Sequence, residues 1–214
     1  MHSFAYNNGT LCCEGVNLAD IAAAVGTPTF VYSRKTIMDD LAELKRELAP
    51  LNAHVAYAVK ACSNKAILNL MAREGVGFDI VSGGELWRVV NAGGDPTLCT
   101  YAGVGKTEAE IRYALSLNIY CFNCESENEL REINRIAGEE NKHPRILLEV
   151  SVSGEESKGG ISPDALPALA DAAAQCANIT FDGFMTMAPL DASDTCTAAL
   201  FEKLRQLRDE TAAR

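Results

Sequence analysis

What this chain lacks narrows its function before any motif is considered. Basic residues are the minority: 19 Lys and Arg stand against 29 Asp and Glu, a formal net charge of −10. Nucleic acid and anionic membrane surfaces both need basic patches, so neither is an expected partner and a small-molecule role fits better. Histidine is scarce; His54 and His143 show no metal-ligand spacing and His2 is terminal, so no metal site is expected. No apolar run approaches the length of a membrane span, and no N-terminal segment joins a basic start to an apolar core and a small-residue cleavage site. A cytosolic protein is therefore expected. Cys121-Phe122-Asn123-Cys124 is a CxxC with no second pair beside it. On a strand its two sulfurs would face opposite sides, and the scattered cysteines read as reduced core thiols.

What is present points to an α/β protein. At 214 residues with about half of them apolar, the chain suits one α/β domain, or one domain with a small appendage. Residues 1–34 read as the appendage: Phe4-Ala5-Tyr6, a turn at Asn7-Asn8-Gly9-Thr10, and a return strand from Leu11. Asn17 caps a short helix over Leu18 to Val25, Gly26-Thr27-Pro28 closes it, and Thr29 to Ser33 reads as a strand. Thr36 and Asp39 open an amphipathic helix running to about Leu48.

From His54 one unit repeats, a short apolar strand, a polar turn and a helix of about three turns. Six strands are expected near 54–59, 77–81, 97–102, 118–123, 145–152 and 179–186. Ser82 with Glu85, Thr107 with Glu110 and Ser126 with Glu129 are capping boxes after the second, third and fourth strands, and Ser162-Pro163 gives a further helix start. Regular βα alternation implies a parallel sheet with right-handed crossovers. Six units fall short of the eight of a closed (β/α)8 barrel, so residues 35–214 read as an incomplete barrel.

Lys60 is the centre of the chain's chemistry. It ends the apolar run Val55 to Val59, at the carboxyl end of a strand, where ligands bind in α/β barrels and open sheets. Flanked by Ala58 and Ala61, it can be partly desolvated, which favours the neutral amine that a Schiff-base lysine needs. The plainer reading is a lysine reaching from a strand end to solvent. Asp79, inside the apolar strand Gly77 to Val81, is either a charge paired across the barrel or a carboxylate beside the lysine, and the cost of burying it unpaired favours the second. Glu85 has a sufficient job as a helix cap. Gly103-Val104-Gly105-Lys106-Thr107 has Thr100 where a phosphate loop needs its first glycine, so it reads as a capped turn. The loop Ser153 to Gly160 and the pair Met185 and Met187 lie on the same rim, as a flexible connection and as core or ring-packing side chains.

Tyr57-Ala58-Val59-Lys60-Ala61 resembles the pyridoxal-phosphate lysine motif of the diaminopimelate decarboxylases, among the barrel-type decarboxylases and racemases. Gly26 to Ser33, Gly75 to Leu86 with Asn91 to Pro96, Ala102 to Thr107, and Phe122 to Leu130 resemble the same family in order, so the likeness covers about residues 4–136. It implies a (β/α)8 TIM barrel of the alanine racemase-like type, truncated here after six units, with residues 1–34 belonging to a β-domain. It further implies pyridoxal 5′-phosphate bound covalently at Lys60 with Asp79 in the cofactor site, conversion of meso-diaminopimelate to L-lysine and carbon dioxide in lysine biosynthesis, and a homodimer. Leu147 to Ile161, Phe181 to Pro189 and Phe201 to Arg214 resemble instead the YggS-type pyridoxal-phosphate homeostasis proteins on the same barrel, which implies a non-catalytic cofactor carrier as the alternative, an inactive fragment being the other. Cys62 stands where the decarboxylases usually have asparagine, Ser151 where the homeostasis proteins do, and no His-Gly-Ser or Glu-Pro-Gly-Arg segment is present.

Overall fold

A computed structural model describes residues 3–51, 53–155 and 158–213. His2, and Glu156 and Ser157 of the glycine-rich loop, lie outside the described residues. The chain divides into two compact units, Met1–His54 and Val55–Arg214.

The first unit is a small antiparallel sheet, β1 (Phe4–Asn7), β2 (Thr10–Cys13) and β3 (Val16–Asn17), followed by α1 (Leu18–Val25) and α2 (Arg34–Leu48). Asn8 and Gly9 take φ of 49° and 79°, the left-handed pair that a two-residue hairpin loop demands. Asn17 caps α1 by accepting from the Ala19 N–H at 2.9 Å. Two expectations fail here. Thr29 to Ser33 is not a strand, because no neighbouring strand pairs with it and Phe30 is 89% exposed. Ser33 is instead the cap of α2, accepting from the Thr36 N–H at 3.0 Å and donating to Glu14 Oε1 at 2.8 Å, so the helix begins at Arg34 rather than Thr36.

The second unit alternates strand and helix throughout: β4 (Ala56–Ala58), α3 (Lys65–Arg73), β5 (Gly77–Ile80), α4 (Gly83–Asn91), β6 (Cys99–Tyr101), α5 (Glu108–Ser116), β7 (Cys121–Cys124), α6 (Glu127–Glu139), β8 (Arg145–Glu149), α7 (Leu166–Ala174), β9 (Thr180–Met185) and α8 (Asp194–Ala212). The strands pair in parallel in chain order from β4 to β9, six successive βα units of an α/β barrel. Strand register fixes which side chains share a face, since neighbours along a strand point oppositely. Phe78, Ile80, Tyr101, Phe122, Ile146 and Leu148 are nearly or fully buried, and with Leu68, Leu86, Ile111, Leu130 and Ile133 of the helices they form the core. The opposite face carries Asp79, Thr100 and Cys121 side by side, and Asn123 beside Leu147. Cys121 and Cys124 are both buried, and burial pushes the Cys121 thiol up to about 11.

Close strand contact requires glycine at one turn. A Cβ on Gly103 would lie 2.2 Å from the Val81 carbonyl oxygen, so no side chain fits where the chain leaves β6 beside the end of β5. Ser162 and Pro163 form a turn ahead of α7 rather than its first residues: the Ser162 hydroxyl accepts from Ala165 at 3.3 Å, and the helix begins at Leu166 without a side-chain cap. β8 is shorter than expected: Val150 N–H still donates to the Met185 carbonyl of β9 at 2.9 Å, but the Ser151 N–H donates to the Ile161 carbonyl at 2.8 Å, so from there the backbone pairs with its own loop.

Candidate active site

Lys60 lies just past β4, in a single 3-10 turn over Val59–Ala61. Val59 is fully buried and anchors the turn, and the Tyr57 hydroxyl donates to the Cys62 carbonyl at 3.3 Å across it. The next position is turned outward, so Lys60 is exposed. The expectation of a partly desolvated lysine is thus corrected: the turn gives the apolar position to Val59 and leaves the amine at the surface. Lys60 makes no hydrogen bond or ion pair among the described residues.

Asp79 is opposite Ala58 in the parallel register, which brings it to the rim where Lys60 emerges. Burial pushes its carboxyl above the ordinary aspartate range; the Lys60 charge opposes this and the Glu85 charge adds to it. An amine and a carboxylate therefore feel one another at the carboxyl ends of adjacent strands, the arrangement read from the sequence. Glu85 does have the structural task assigned to it, with one refinement. Ser82 caps α4, accepting from Glu85 N–H at 3.2 Å, while Glu85 Oε2 accepts from Val81 N–H at 2.8 Å, one residue beyond a capping box.

The same rim is laced by carboxylates that join one βα loop to the next. Thr107 and Glu110 form a full capping box on α5, and Glu110 Oε1 also accepts from Gly83 N–H at 2.8 Å. These backbone donors, Gly83 first, hold the Glu110 carboxyl below the usual range. Lys106, in the turn before α5, has a side chain only 1% exposed. Its Nζ donates to Glu129 Oε1 at 2.7 Å and to the Asn123 carbonyl at 2.8 Å, and lies 5.2 Å from the centre of the Tyr101 ring. This second rim lysine is fully engaged and tethers the β6–α5 turn to the next unit.

Two residues of the open face went unread in the sequence. Asn123 on β7 is 3% exposed and its side-chain oxygen has no donor among the described residues. Glu149, the last residue of β8, is 9% exposed and has no hydrogen bond or ion pair among the described residues. Burial pushes its carboxyl up; nearby Glu125, Glu129 and Asp79 add to the effect and Lys106 opposes it. A polar residue inside an apolar strand, the signal that exposed Asp79, was available at both positions. Among the described residues no group of three or more His, Cys, Asp and Glu is arranged to hold a metal ion.

The family model described as "Pyridoxal-dependent decarboxylase, pyridoxal binding domain" matches residues 34–184. The chain belongs to that family. Diaminopimelate decarboxylase from Vibrio cholerae is 48% identical over 152 residues, 71% of this chain and 36% of that protein. The enzyme from Pseudomonas aeruginosa is 46% identical over 151 residues, again 71% and 36% of the two chains. The chain thus spans little more than a third of the length of these curated relatives. Among solved structures, diaminopimelate decarboxylase from Helicobacter pylori complexed with L-lysine superposes with a TM-score of 0.85 at 26% identity, covering 92% of this chain and 53% of that one. The fold is also that of the enzyme from M. jannaschii, with a TM-score of 0.86 at 23% identity, 97% of this chain and 54% of that one. The amine of Lys60, exposed and without a hydrogen bond or ion pair among the described residues, and the Asp79 carboxyl on the neighbouring strand have the chemistry that a pyridoxal aldehyde would require.

Proposed function

We propose that this chain carries the cofactor-binding part of a pyridoxal-phosphate-dependent amino-acid decarboxylase of the diaminopimelate decarboxylase kind, converting meso-diaminopimelate to L-lysine and carbon dioxide in the cytoplasm. A homodimer is the assembly we infer for it. The observation that carries the reading is the pairing of Lys60, free and exposed just past β4, with Asp79, electrostatically coupled to it from β5. The cofactor, when bound, supplies a ring that takes up the electron pair left as carbon dioxide departs. Lys60 Nζ would hold the cofactor through its aldehyde carbon, acting as the neutral amine, with the aldehyde oxygen leaving as water. Asp79, whose carboxyl holds its proton more firmly than a free aspartate, keeps a proton-exchanging group beside that amine. The likeness of Leu147 to Ile161 and of Phe181 to Pro189 to the YggS-type homeostasis proteins favours a second reading, a carrier that binds the cofactor without turnover.

One experiment separates them. Borohydride reduction of the purified chain with pyridoxal phosphate, followed by peptide mapping, is expected to mark Lys60. Carbon dioxide release from carboxyl-labelled meso-diaminopimelate, abolished in Lys60→Ala, is the expected result for the decarboxylase. A Lys60 adduct with no release at saturating cofactor overturns the decarboxylase in favour of the carrier, and no adduct overturns both.

A further inference from the structure

The other end of the parallel sheet carries a groove that the chemistry of Lys60 does not use. It is open, holds about 190 Å³, and lies at the amino-terminal ends of β7 and β8, where the chain arrives from α5 and α6. Both arrivals are built alike. Asn118 and Asn141, each the residue after a helix cap, take φ of 52° and 53°, the left-handed conformation that turns a chain away from a finished helix. Backbone bonds then tie the walls down: Tyr120 N–H donates to the Cys99 carbonyl at 2.9 Å, Lys142 N–H to the Ala137 carbonyl at 2.8 Å, and the Pro144 carbonyl accepts from Thr180 N–H at 2.8 Å. The groove is thus formed before a ligand arrives.

Its floor is apolar, made by Leu115 and Ile119, and its edge is cationic. Lys142 Nζ donates to Asn118 Oδ1 at 2.7 Å and makes no ion pair among the described residues, so its charge and two of its three N–H donors stay available. The Arg145 guanidinium lies 5.1 Å from the centre of the Tyr120 ring, which orients it. It meets one carboxylate, Asp182, at 3.6 Å, and with side chains 49% and 40% exposed that pair holds it weakly. Arginines on the helices are answered more closely: Arg131 by Glu127 at 2.6 Å, and Arg205 by Asp209 at the same distance. In a chain of net charge −10 the groove's edge is a local reversal of sign.

The amino-terminal face of such a sheet ordinarily serves stability, and cations near helix ends offset the partial negative charge there. Lys142 instead sends its amine to a side chain of the neighbouring turn, and Arg145 opens a strand. Their donors suit a carboxylate, which a guanidinium fork meets with two parallel bonds, while the floor suits an apolar body. Pockets for drug-sized ligands hold roughly 300–1,000 Å³, so this groove takes something smaller, a single ring or a short chain.

We propose that this groove binds a small monocarboxylate with a compact apolar body, its carboxylate between Lys142 Nζ and Arg145 and its body on Leu115 and Ile119. The site is separate from the Lys60 rim, and the proposal stands or falls independently of the decarboxylase.

Ligand-observed NMR titration of the full chain, without cofactor, compares benzoate with benzamide, which has the ring without the charge, and with acetate, which has the charge with little body. Benzoate is expected to bind at least about tenfold more tightly than benzamide, the size of one charge-assisted hydrogen bond, and more tightly than acetate by a similar factor through its buried ring. Arg145→Gln is expected to weaken benzoate at least about tenfold and benzamide less than twofold, and Lys142→Gln to weaken benzoate about fivefold. Equal affinities for benzoate and benzamide overturn the proposal, as does a tenfold preference that survives Arg145→Gln combined with Lys142→Gln in a protein that melts cooperatively. Acetate binding as tightly as benzoate overturns the assignment to a ligand with an apolar body. Should Arg145→Gln not fold, Lys142→Gln and the unmodified chain decide on the same terms. Lys60→Ala locates the ligand: benzoate affinity within about twofold of the parent upholds the groove, and its loss would place benzoate at the other rim and overturn the proposal.

Discussion

Two lysines follow strands at the same rim, and the chain treats them in opposite ways. Lys60 comes directly after β4 in a short turn, exposed and without a partner among the described residues. Lys106 comes after β6, its side chain 1% exposed, with a carboxylate, a carbonyl and an aromatic ring around its amine. Local sequence does not separate them, since each sits among small residues between a strand and a capped helix. The difference is made by the next unit along the sheet. Glu129 at the third position of α6 reaches back to Lys106, whereas the carboxylates near Lys60 are committed elsewhere or stand off: Glu85 takes the Val81 N–H, and Asp79 couples to Lys60 through space without an ion pair. A lysine held by three groups is a tether; a lysine held by none is available to a ligand.

The contrast breaks most visibly if the tether is cut. Lys106→Met leaves the Glu129 carboxylate, 13% exposed, without its cation, with only the Glu125 N–H still donating to its Oε2 at 3.2 Å, and takes a donor from the Asn123 carbonyl. Loss of one partner from a buried ion pair costs roughly 3–5 kcal/mol, because the remaining charge is stranded. Urea melts should show a fall of that size, and Lys106→Met combined with Glu129→Gln should recover part of it by removing the stranded charge. A fall below about 1 kcal/mol would mean that water reaches Glu129 and that Lys106 is no tether.

Lys106 also marks where sequence reasoning stopped. Strands and most helix starts were legible because their signals are local: apolar runs of four to six residues, and Ser82, Thr107 and Ser126 each followed three residues later by glutamate. Lys60 and Asp79 could be placed at one rim because parallel register follows from βα alternation. The roles that escaped depend on partners one unit away, such as Glu129 for Lys106 and Glu125 for Gly160. A local signal also misleads: Thr36 with Asp39 has the pattern of a helix start, whereas Ser33 is the cap, its hydroxyl held by Glu14, 19 residues upstream. Asn123 and Glu149 were hidden for a different reason. Each stands as a polar residue inside an apolar strand, the same signal that Asp79 gives, but the lack of a partner among the described residues is set by neighbouring units and is not written in the strand's own sequence.

A smaller effect, of the opposite sign, sharpens the contrast from the side of the acceptors. If Glu149 lacks a protein partner, its charge weakens the fold, and Glu149→Gln should stabilise the ligand-free chain by about 1 kcal/mol at pH 7.5. The pH dependence follows from linkage. Burial raises the Glu149 pKa above its ordinary 4.5, so the native chain binds the proton more tightly than the unfolded chain. Its destabilising contribution is absent below about pH 4.5, grows as pH rises through the raised native pKa, and is constant above that. The advantage of Glu149→Gln should therefore shrink on acidification toward pH 4. Thermal melts across that range test this, and a variant less stable than the parent at pH 7.5 would show that Glu149 has a donor after all.

The smallest expected change in stability belongs to the residue of greatest chemical interest. Lys60 is exposed and has no bond to lose, so Lys60→Ala should alter stability by no more than about 0.5 kcal/mol. Its charge opposes the upward push of burial on Asp79, so removing it should raise the Asp79 pKa further. That change can be followed by carboxyl-carbon NMR titration while urea melts stay nearly superimposed. Borohydride marking sets the same pair of lysines against each other in one sample, because the reagent fixes only an amine that a cofactor aldehyde has reached. Lys60 should carry the label and Lys106 none, since reaching Lys106 would require breaking its bond to Glu129. Label on Lys106, or a stability loss above 1 kcal/mol in Lys60→Ala, would reverse the assignment and make Lys60 the structural lysine.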